Sequence, residues 1–582
     1  MSVQLNHLLG GLFLFFLFCN VVSAGSPDIE RIAPKEVPTG DEGELIQDDL
    51  PEVTPTPDRD AVLVDALNGI VFIDDVNKLD PSGRSHESGI VLDGDLEIVD
   101  TIIFKQYFDE FLNQPITLNL LDKITNKAVR YYRNHDRPIV DVLAPEGQDI
   151  TDGVLQLAVI LGKRGDVRVE GAQYFSEEKL AANVRLKMSD TITQRELEED
   201  ITWMNSNPFR TVDVLFERGK EFGQTDVVLD VEDRFPLRVY GGVEDTGTEL
   251  TGIRRWLTGF NWGNAFGLDH QLNYQYTSSF DTNVLNAHSF NYVAPLSWRH
   301  TATLFGAYVK SDPDPTSAGF NLDGENYQLG FRYNIPLTIY KKLNHELNLG
   351  YDFKRSNNNL DFGGLSVFST FTNISQFSFA YNGNVKDKYG ATSFGSTVYI
   401  SPGDMMGDNR DIEFAASRAL ASADYIYSRF NINRITRLPK DFSWVAELQF
   451  QVSTNNLLGS EQFGIGGFQT VRGYDAYQAV GDEGILIRNE IRSPAFSFLK
   501  HLKIDVPKED LQFLWFLDYG SVKNVDLLAG EGGTDLMSTG VGLRYSIAPY
   551  LTLRADYGWQ LKALSATASK SSRLHAGLVI SY

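Results

Sequence analysis

From Leu237 to the last residue, Tyr582, the chain alternates apolar and polar side chains with period two, and the apolar positions are crowded with aromatics. In the last run Leu574, Ala576, Leu578, Ile580 and Tyr582 share one face, with Arg573, His575, Gly577 and Ser581 on the other beside Val579. Before it, Leu551, Leu553, Ala555, Tyr557 and Trp559 alternate with Thr552, Arg554, Asp556, Gly558 and Gln560. Upstream, Tyr327, Leu329, Phe331 and Tyr333 alternate with Gln328, Gly330, Arg332 and Asn334. A soluble sandwich would bury the apolar face and leave the other wet, but the faces that would point outward carry Tyr, Trp and Phe in most of these runs. Lipid outside and water inside fits them, and closing the sheet satisfies every backbone donor in lipid. About sixteen such segments can be counted, an even number, as single-chain barrels require. The fold class expected is a membrane β-barrel of about 16 antiparallel strands over residues 236–582. An aromatic C-terminal residue is similar to the signal by which such barrels are recognised for assembly.

Composition narrows the function. Aromatics make up 12% of the chain, with 25 Tyr and 37 Phe, and after residue 24 no apolar run is long enough for a spanning helix. Residues 1–24 read as a signal peptide, with an apolar run from Leu8 to Val22 and a small-residue cleavage site at Val22-Ser23-Ala24. The lone cysteine, Cys19, lies within that run. A mature chain without it has no disulfide, thiolate metal site or Cys nucleophile. A net charge of −25 argues against nucleic acid as a partner. Residues 25–59 form an acidic, Pro-rich linker that reads as disordered.

Residues 60–235 carry a mixed α/β pattern twice. The first unit, 60–163, opens on the strand Gly69-Ile70-Val71-Phe72-Ile73. A helical stripe at Ile102, Phe104, Phe108 and Phe111 follows, then a second helix from about Leu118 to Arg133 with Thr117 as N-cap. Two strands close it, Ile139–Val142 and Val154–Val159. The second unit, 164–235, repeats the order: a strand at Val167–Glu170, helices at Ser176–Leu186 and Thr193–Met204, and strands at Thr211–Phe216 and Asp226–Val231.

The loop between the eleventh and twelfth barrel segments, about 455–484, is long for a barrel, and long loops are usually functional. It contains Gly464-Ile465-Gly466-Gly467 and then Val471-Arg472-Gly473-Tyr474. The glycines lack the Lys-Ser/Thr of a phosphate loop, and serve instead to turn a chain through a narrow lumen. Downstream, Phe516-Leu517-Asp518 places Asp518 on the polar face of its strand, and Glu490 faces inward with Arg488 and Arg492 beside it. A planar Arg fork matches such carboxylates at two points.

The Val-Arg-Gly-Tyr loop with its Phe-x-Asp strand resembles the sixth extracellular loop of the outer-membrane protein 85 superfamily. The strand–helix–helix–strand–strand units resemble the POTRA modules of the same superfamily. Val169-Glu170-Gly171, Asn205-Ser206-Asn207-Pro208-Phe209-Arg210 and Asp136-Arg137-Pro138 match POTRA segments of two-partner secretion transporters of the haemolysin secretion/activation type. Asp233-Arg234-Phe235-Pro236-Leu237-Arg238-Val239-Tyr240 strengthens the likeness. The resemblance implies that the loop folds into the barrel and that Arg472 is anchored by lumen partners Asp518, Phe516 and Glu490. It also implies two periplasmic POTRA units that catch the N-terminal secretion domain of an exoprotein, and export of that partner through the outer membrane. Other partners it implies are outer-membrane lipid and, during biogenesis, the barrel-assembly machinery. Some members of the superfamily place a plugging helix before the linker. Here only about ten residues around Ile29-Glu30-Arg31-Ile32 are available for one. The alternative reading is an insertase that assembles other barrels, which usually carries more POTRA units and a weak seam between first and last strands. A passive porin explains the alternation but neither the α/β units nor the loop.

Enzymatic chemistry finds little footing. The nine His are scattered without metal-ligand spacing, and no Gly-x-Ser-x-Gly elbow occurs. Asp404, Asp408 and Asp411 lack the alternation and terminal Glu of a Ca²⁺ loop. No catalytic residue, metal or cofactor is expected.

Overall fold

A computed structural model describes residues 32–37, 45–46 and 59–582, apart from 249–250, 313–319, 341, 363–364, 502–503, 505–507, 566 and 568. The expected signal peptide lies outside the described residues, as does most of the linker. The chain divides into two compact units: one holds the barrel and one the α/β region. No helix among the described residues is long and apolar enough to cross a membrane.

The α/β unit contains two sheets. The first has the order β2-β1-β4-β3, built from β1 (Gly69–Ile73), β2 (Gly89–Asp93), β3 (Val140–Leu143) and β4 (Val154–Leu161). Strand β1 runs parallel to both β2 and β4. Two helices cover this sheet, α1 (Thr101–Phe108) and α2 (Leu118–Asn134). Asp100 caps α1 by accepting from the Ile102 and Ile103 N–H groups, and Thr117 caps α2 by accepting from Leu120 N–H. The faces follow the helical period. Phe104 and Phe108 of α1 are buried with Phe72 of β1 at ring distances of 5.1 and 5.0 Å, and Leu120, Ile124, Ala128 and Tyr131 of α2 are buried in the same core. Two expectations change here. Ile102 does not belong to the buried stripe; it is 68% exposed. Strand β2, unforeseen from the sequence, adds an edge beside β1.

The second sheet has the order β5-β7-β6, from β5 (Lys163–Glu170), β6 (Arg210–Arg218) and β7 (Gln224–Asp233). Its helices are α3 (Glu177–Ala181) and α4 (Gln194–Met204). The first of these ends well before the expected Leu186.

The barrel is closed and antiparallel, with sixteen strands from Leu237–Glu244 to Ser572–Ser581. The final strand pairs with the first from Gly577↔Glu244 to Ser581↔Tyr240, and Val239 and Tyr582 exchange backbone hydrogen bonds beyond that. Alternation sorts the side chains as lipid and water require. In the final strand Leu574 and Ile580 are exposed outward, while His575 and Ser581 are buried. In the sixth (Phe320–Tyr340), Leu329 and Phe331 face out, and Gln328 and Arg332 face in.

One part of the linker is not free. Ile32–Val37 lies against the inner face of the first four barrel strands, within the same compact unit. A Pro-rich acidic sequence cannot build a core of its own, but it can borrow polar partners from a wall. Of Ile29-Glu30-Arg31-Ile32, where a plugging helix was weighed, Ile29–Arg31 lie outside the described residues and Ile32 is helical, with a bend at Ala33.

Candidate functional site

The loop between the eleventh strand (Ser443–Ser453) and the twelfth (Glu483–Arg492) folds inward. It begins as a small hairpin, with Phe463–Ile465 paired to Ala479–Gly481. Gly466 and Gly467 have φ of 103° and 95°, which lets the chain turn there without a Cβ penalty. Phe463, Ile465, Val471 and Tyr474 pack with the wall residues Leu486, Val522 and Leu536. This apolar patch places the four residues after Thr470 at the wall.

Arg472 stands at the centre and is fully buried. Its Nε donates to Asp518 Oδ2 at 2.7 Å and its Nη2 to Asp518 Oδ1 at 2.8 Å, a bidentate fork. The backbone N–H of Arg472 also reaches Asp518 Oδ2, at 3.2 Å. Nη1 donates to Glu490 Oε1 at 2.6 Å. The guanidinium carbon lies 3.6 Å from the centre of the Phe516 ring, which closes the remaining face. Every donor edge is thus matched, as a buried charge demands.

The surroundings balance this charge. Glu490 also accepts from Arg492 Nε at 2.8 Å, with Arg488 3.7 Å away. Asp556, on the fifteenth strand (Leu551–Gln560), accepts both arms of Arg544 at 2.9 and 3.0 Å and lies 3.8 Å from Arg472 Nη1. Arg488 donates to Glu447 at 3.0 Å. Four cations therefore interleave with Asp518, Glu490, Asp556 and Glu447 in one network.

The next two residues fix the tip. Gly473 has φ of 90° and abuts Gly558: a Cβ on Gly473 would meet the Gly558 backbone at 3.0 Å, and one on Gly558 would meet Gly473 N at 2.7 Å. Both positions need glycine because two main chains touch there. Gly473 N–H donates to His575 Nε2 at 3.1 Å, and His575 Nδ1 contacts Asp245 at 3.0 Å. Since Nε2 accepts, Nδ1 carries the proton in this arrangement. Gln560 Nε2 donates to Gly473 O at 2.8 Å. Tyr474 Oη lies 2.9 Å from Met537 O and 2.5 Å from Lys562 O.

The sequence singled out Val471, Arg472, Gly473, Tyr474, Phe516, Asp518 and Glu490, and the structure brings all seven together. It adds Asp556, Gln560 and His575, which the period-two alternation had already put on the inner face. It also adds a second clamp at the base of the loop. Glu461, fully buried, accepts from Lys354 Nζ and Tyr427 Oη, each at 2.7 Å, and from Gln376 Nε2 at 3.0 Å. Asp482 accepts from Arg418 at 2.6 and 3.1 Å and from Leu457 N–H at 2.9 Å. Of the acidic residues weighed for calcium, Asp411 accepts instead from Ala423 N–H and Ser422 Oγ at 2.8 and 2.9 Å.

Chemically the site is a latch. It holds a loop against the inner face of the barrel by charge pairing and backbone contact.

The family described as haemolysin secretion/activation protein ShlB/FhaC/HecB matches residues 223–545. The heme/hemopexin transporter protein HuxB of Haemophilus influenzae (strain 86-028NP) is 23% identical over 478 residues, covering 79% of this chain and 80% of that protein. The outer membrane transporter CdiB-2 of Burkholderia pseudomallei (strain 1026b) is 26% identical over 434 residues, 72% of this chain and 70% of that one. Among solved structures, CdiB from Escherichia coli has a TM-score of 0.71 at 16% identity, covering 92% of this chain and 93% of its own. CdiB from Acinetobacter baumannii has a TM-score of 0.61 at 15% identity, with 95% of each chain covered. At these identities the structural likeness speaks for the fold.

Proposed function

The chain belongs to the haemolysin secretion/activation family ShlB/FhaC/HecB, and from that membership we infer a division of labour between its two units. It is an outer-membrane transporter of the two-partner type, which exports a secreted exoprotein through its barrel. The two α/β units, with boundaries at 60–163 and 164–235, act as periplasmic POTRA modules that catch the partner's N-terminal secretion domain. Their edge strands can take up an extended peptide through main-chain hydrogen bonds. Outer-membrane lipid surrounds the barrel, and the barrel-assembly machinery inserts it.

The observation that carries the role of the loop is the buried Arg472 fork on Asp518 and Glu490 inside a closed barrel. A loop so held narrows the pore and gives the passing chain a fixed rim. The insertase reading calls for a weak seam. Here the first and last strands stay paired out to Val239 and Tyr582, which favours the exporter.

A deletion strain compared with its parent tests the assignment, by quantitative proteomics of culture supernatant and outer membrane. Loss of one or a few large secreted proteins with other barrels unchanged is the expected result. General depletion of outer-membrane barrels would overturn it in favour of the insertase.

A further inference from the structure

We propose that the turn joining the twelfth barrel strand to the thirteenth (Glu509–Lys523) is a membrane anchor. Its aromatic side chains sit in the periplasmic leaflet of the outer membrane, and its lysines bind the phosphate groups of anionic phospholipid there. This anchor requires the barrel to be in its membrane but not the export reading above, so the two fail separately.

The turn is out of scale with its neighbours. It runs over residues 493–508, whereas the other turns at this end of the barrel span two to five residues. The thirteenth strand starts at the same end as the first, which follows directly on the α/β units, so the turn is periplasmic. Its first half is folded back against the barrel. Phe496 and Leu511 exchange backbone hydrogen bonds at 3.0 and 2.9 Å, an antiparallel bridge along the start of the strand. Glu509 accepts from Leu499 N–H at 2.9 Å and from the Ser497 hydroxyl, which ties down a single helical turn at Phe498–His501. Residues paired directly across an antiparallel bridge put their side chains on the same face. Leu511 shares its face with Phe513 and Trp515, both exposed outward to lipid. Phe496 therefore points to lipid as well, and its ring lies 6.0 Å from that of Phe513. Phe498 and Ile504 are also exposed.

Two features identify the occupant. The first is continuity. Phe496 and Phe498 extend an outward row, Phe513 and Trp515, that already faces hydrocarbon. A turn in water would gain nothing from large apolar side chains there, whereas aromatics at the headgroup level fix the depth of a membrane protein. The second is charge. The whole chain carries −25, yet residues 498–508 read Phe-Leu-Lys-His-Leu-Lys-Ile-Asp-Val-Pro-Lys, three lysines against one aspartate. Lys500 and Lys508 are exposed. Glu509, next in sequence, is buried and spends its carboxylate on Leu499 and Ser497, so it does not neutralise them. Lysines beside apolar side chains match a phosphodiester with hydrocarbon behind it, which is an anionic phospholipid at a bilayer edge. An acidic peptide would meet the lysines but would leave the apolar row without a continuous cover. An anchor of this kind sets the depth of the barrel's periplasmic rim in the leaflet.

The test measures depth and lipid preference in the full-length barrel. Cys19, the only cysteine, falls in the expected signal peptide, so a single cysteine introduced by Phe498→Cys can carry a fluorescent label. The control is Lys440→Cys, in the exposed turn 438–442 at the same end of the barrel. Both are placed in lipid nanodiscs of phosphatidylethanolamine and phosphatidylglycerol. The label at 498 should be quenched by phospholipid bearing a nitroxide near its headgroup and protected from aqueous iodide, and the label at 440 should show the reverse. Native mass spectrometry of the detergent-solubilised chain then compares binding of phosphatidylglycerol with that of phosphatidylcholine. A lysine near an anionic surface is worth about fivefold, so Lys500→Gln and Lys508→Gln should each lower the preference for phosphatidylglycerol by about that factor while the barrel stays heat-modifiable. Equal iodide quenching at 498 and 440 would place the turn in water and overturn the anchor. Protection of 498 from both iodide and nitroxide lipid would show a protein cover instead, and would overturn it too. An unchanged lipid preference in the double variant would overturn the phosphate site.

Discussion

Two segments lie on the inner wall of the same barrel, and they are held in opposite ways. The loop is gripped chiefly through a side chain: Arg472 puts its guanidinium on Asp518 and Glu490, with main-chain bonds at Arg472 and Gly473 added beside it. Ile32–Val37 is gripped through its backbone, with six of its hydrogen bonds ending on amides and carbonyls and one ion pair, Lys35 with Glu244. A side-chain grip fixes one sequence in one place. A main-chain grip holds many sequences loosely. The first kind suits a rim that must stay put, and the second suits something that must leave.

The comparison breaks most directly at Arg472. Replacing it with Ala leaves Asp518 and Glu490 buried without their shared partner, and breaking a buried pair in this way costs about 3–5 kcal/mol. The loop should leave the wall, and export should fall by at least about tenfold while the barrel remains folded in the membrane. Partner in the supernatant, heat-modifiability of the barrel and chymotrypsin cleavage of the loop, which carries Phe463, Phe468, Tyr474 and Tyr477, measure the three quantities. Arg472→Lys should recover only part of the loss, because an ammonium cannot form the fork. Full export by the alanine variant would mean that the loop is held by its apolar hairpin alone.

The base of the loop should matter next. Glu461→Gln keeps the shape but leaves Lys354 facing a neutral amide. Charged hydrogen bonds contribute about 1.5–3 kcal/mol, so a smaller export defect than at Arg472 is expected, with chymotrypsin cleavage appearing near Phe463 rather than at Tyr474. Equal cleavage at both places would show that the loop undocks as one piece.

Gly473→Ala sharpens the picture at the tip. The φ of 90° and the 3.0 Å approach to Gly558 make any Cβ strained, at roughly 1–3 kcal/mol. Gly558→Ala, on the fifteenth barrel strand facing it, should give the same severalfold loss of export. If only the Gly473 variant is impaired, the φ angle and not the close approach is the constraint.

How much of this could be read beforehand follows from the same contrast. Asp518 and Glu490 were legible because charge at inward positions of an alternating strand is conspicuous, Arg472 because the Val-Arg-Gly-Tyr motif marks it by resemblance, and the alternation also laid out the sixteen strands. Strand β2 was missed because Gly89–Asp93 is too short for its period to declare a partner, and it is the parallel pairing with β1 that makes it a strand. Ile102 was misplaced because α1 is apolar on nearly every side, so its pattern does not select a face. The seat of Ile32–Val37 was illegible for a deeper reason. The wall reads peptide groups, and peptide groups are the same in every sequence.

The smallest effect expected is at Lys35, whose charged side chain meets Glu244 on the wall. Glu244 keeps Arg554 at 3.2 Å when Lys35 is lost, so no carboxylate is stranded. Lys35 is partly exposed although Glu244 is buried, and with Arg554 still holding the carboxylate the loss is about 1 kcal/mol or less. Lys35→Ala should therefore raise the open fraction of single channels in planar bilayers by no more than about fivefold, with export nearly unchanged. Raising the salt concentration should reproduce the effect in the parent protein and change little in the variant, because screening weakens the same interaction that the variant lacks. If Lys35→Ala instead opened the pore fully, the main-chain bonds would count for little. The segment would then be held by a side chain after all, and the contrast between the two grips would collapse.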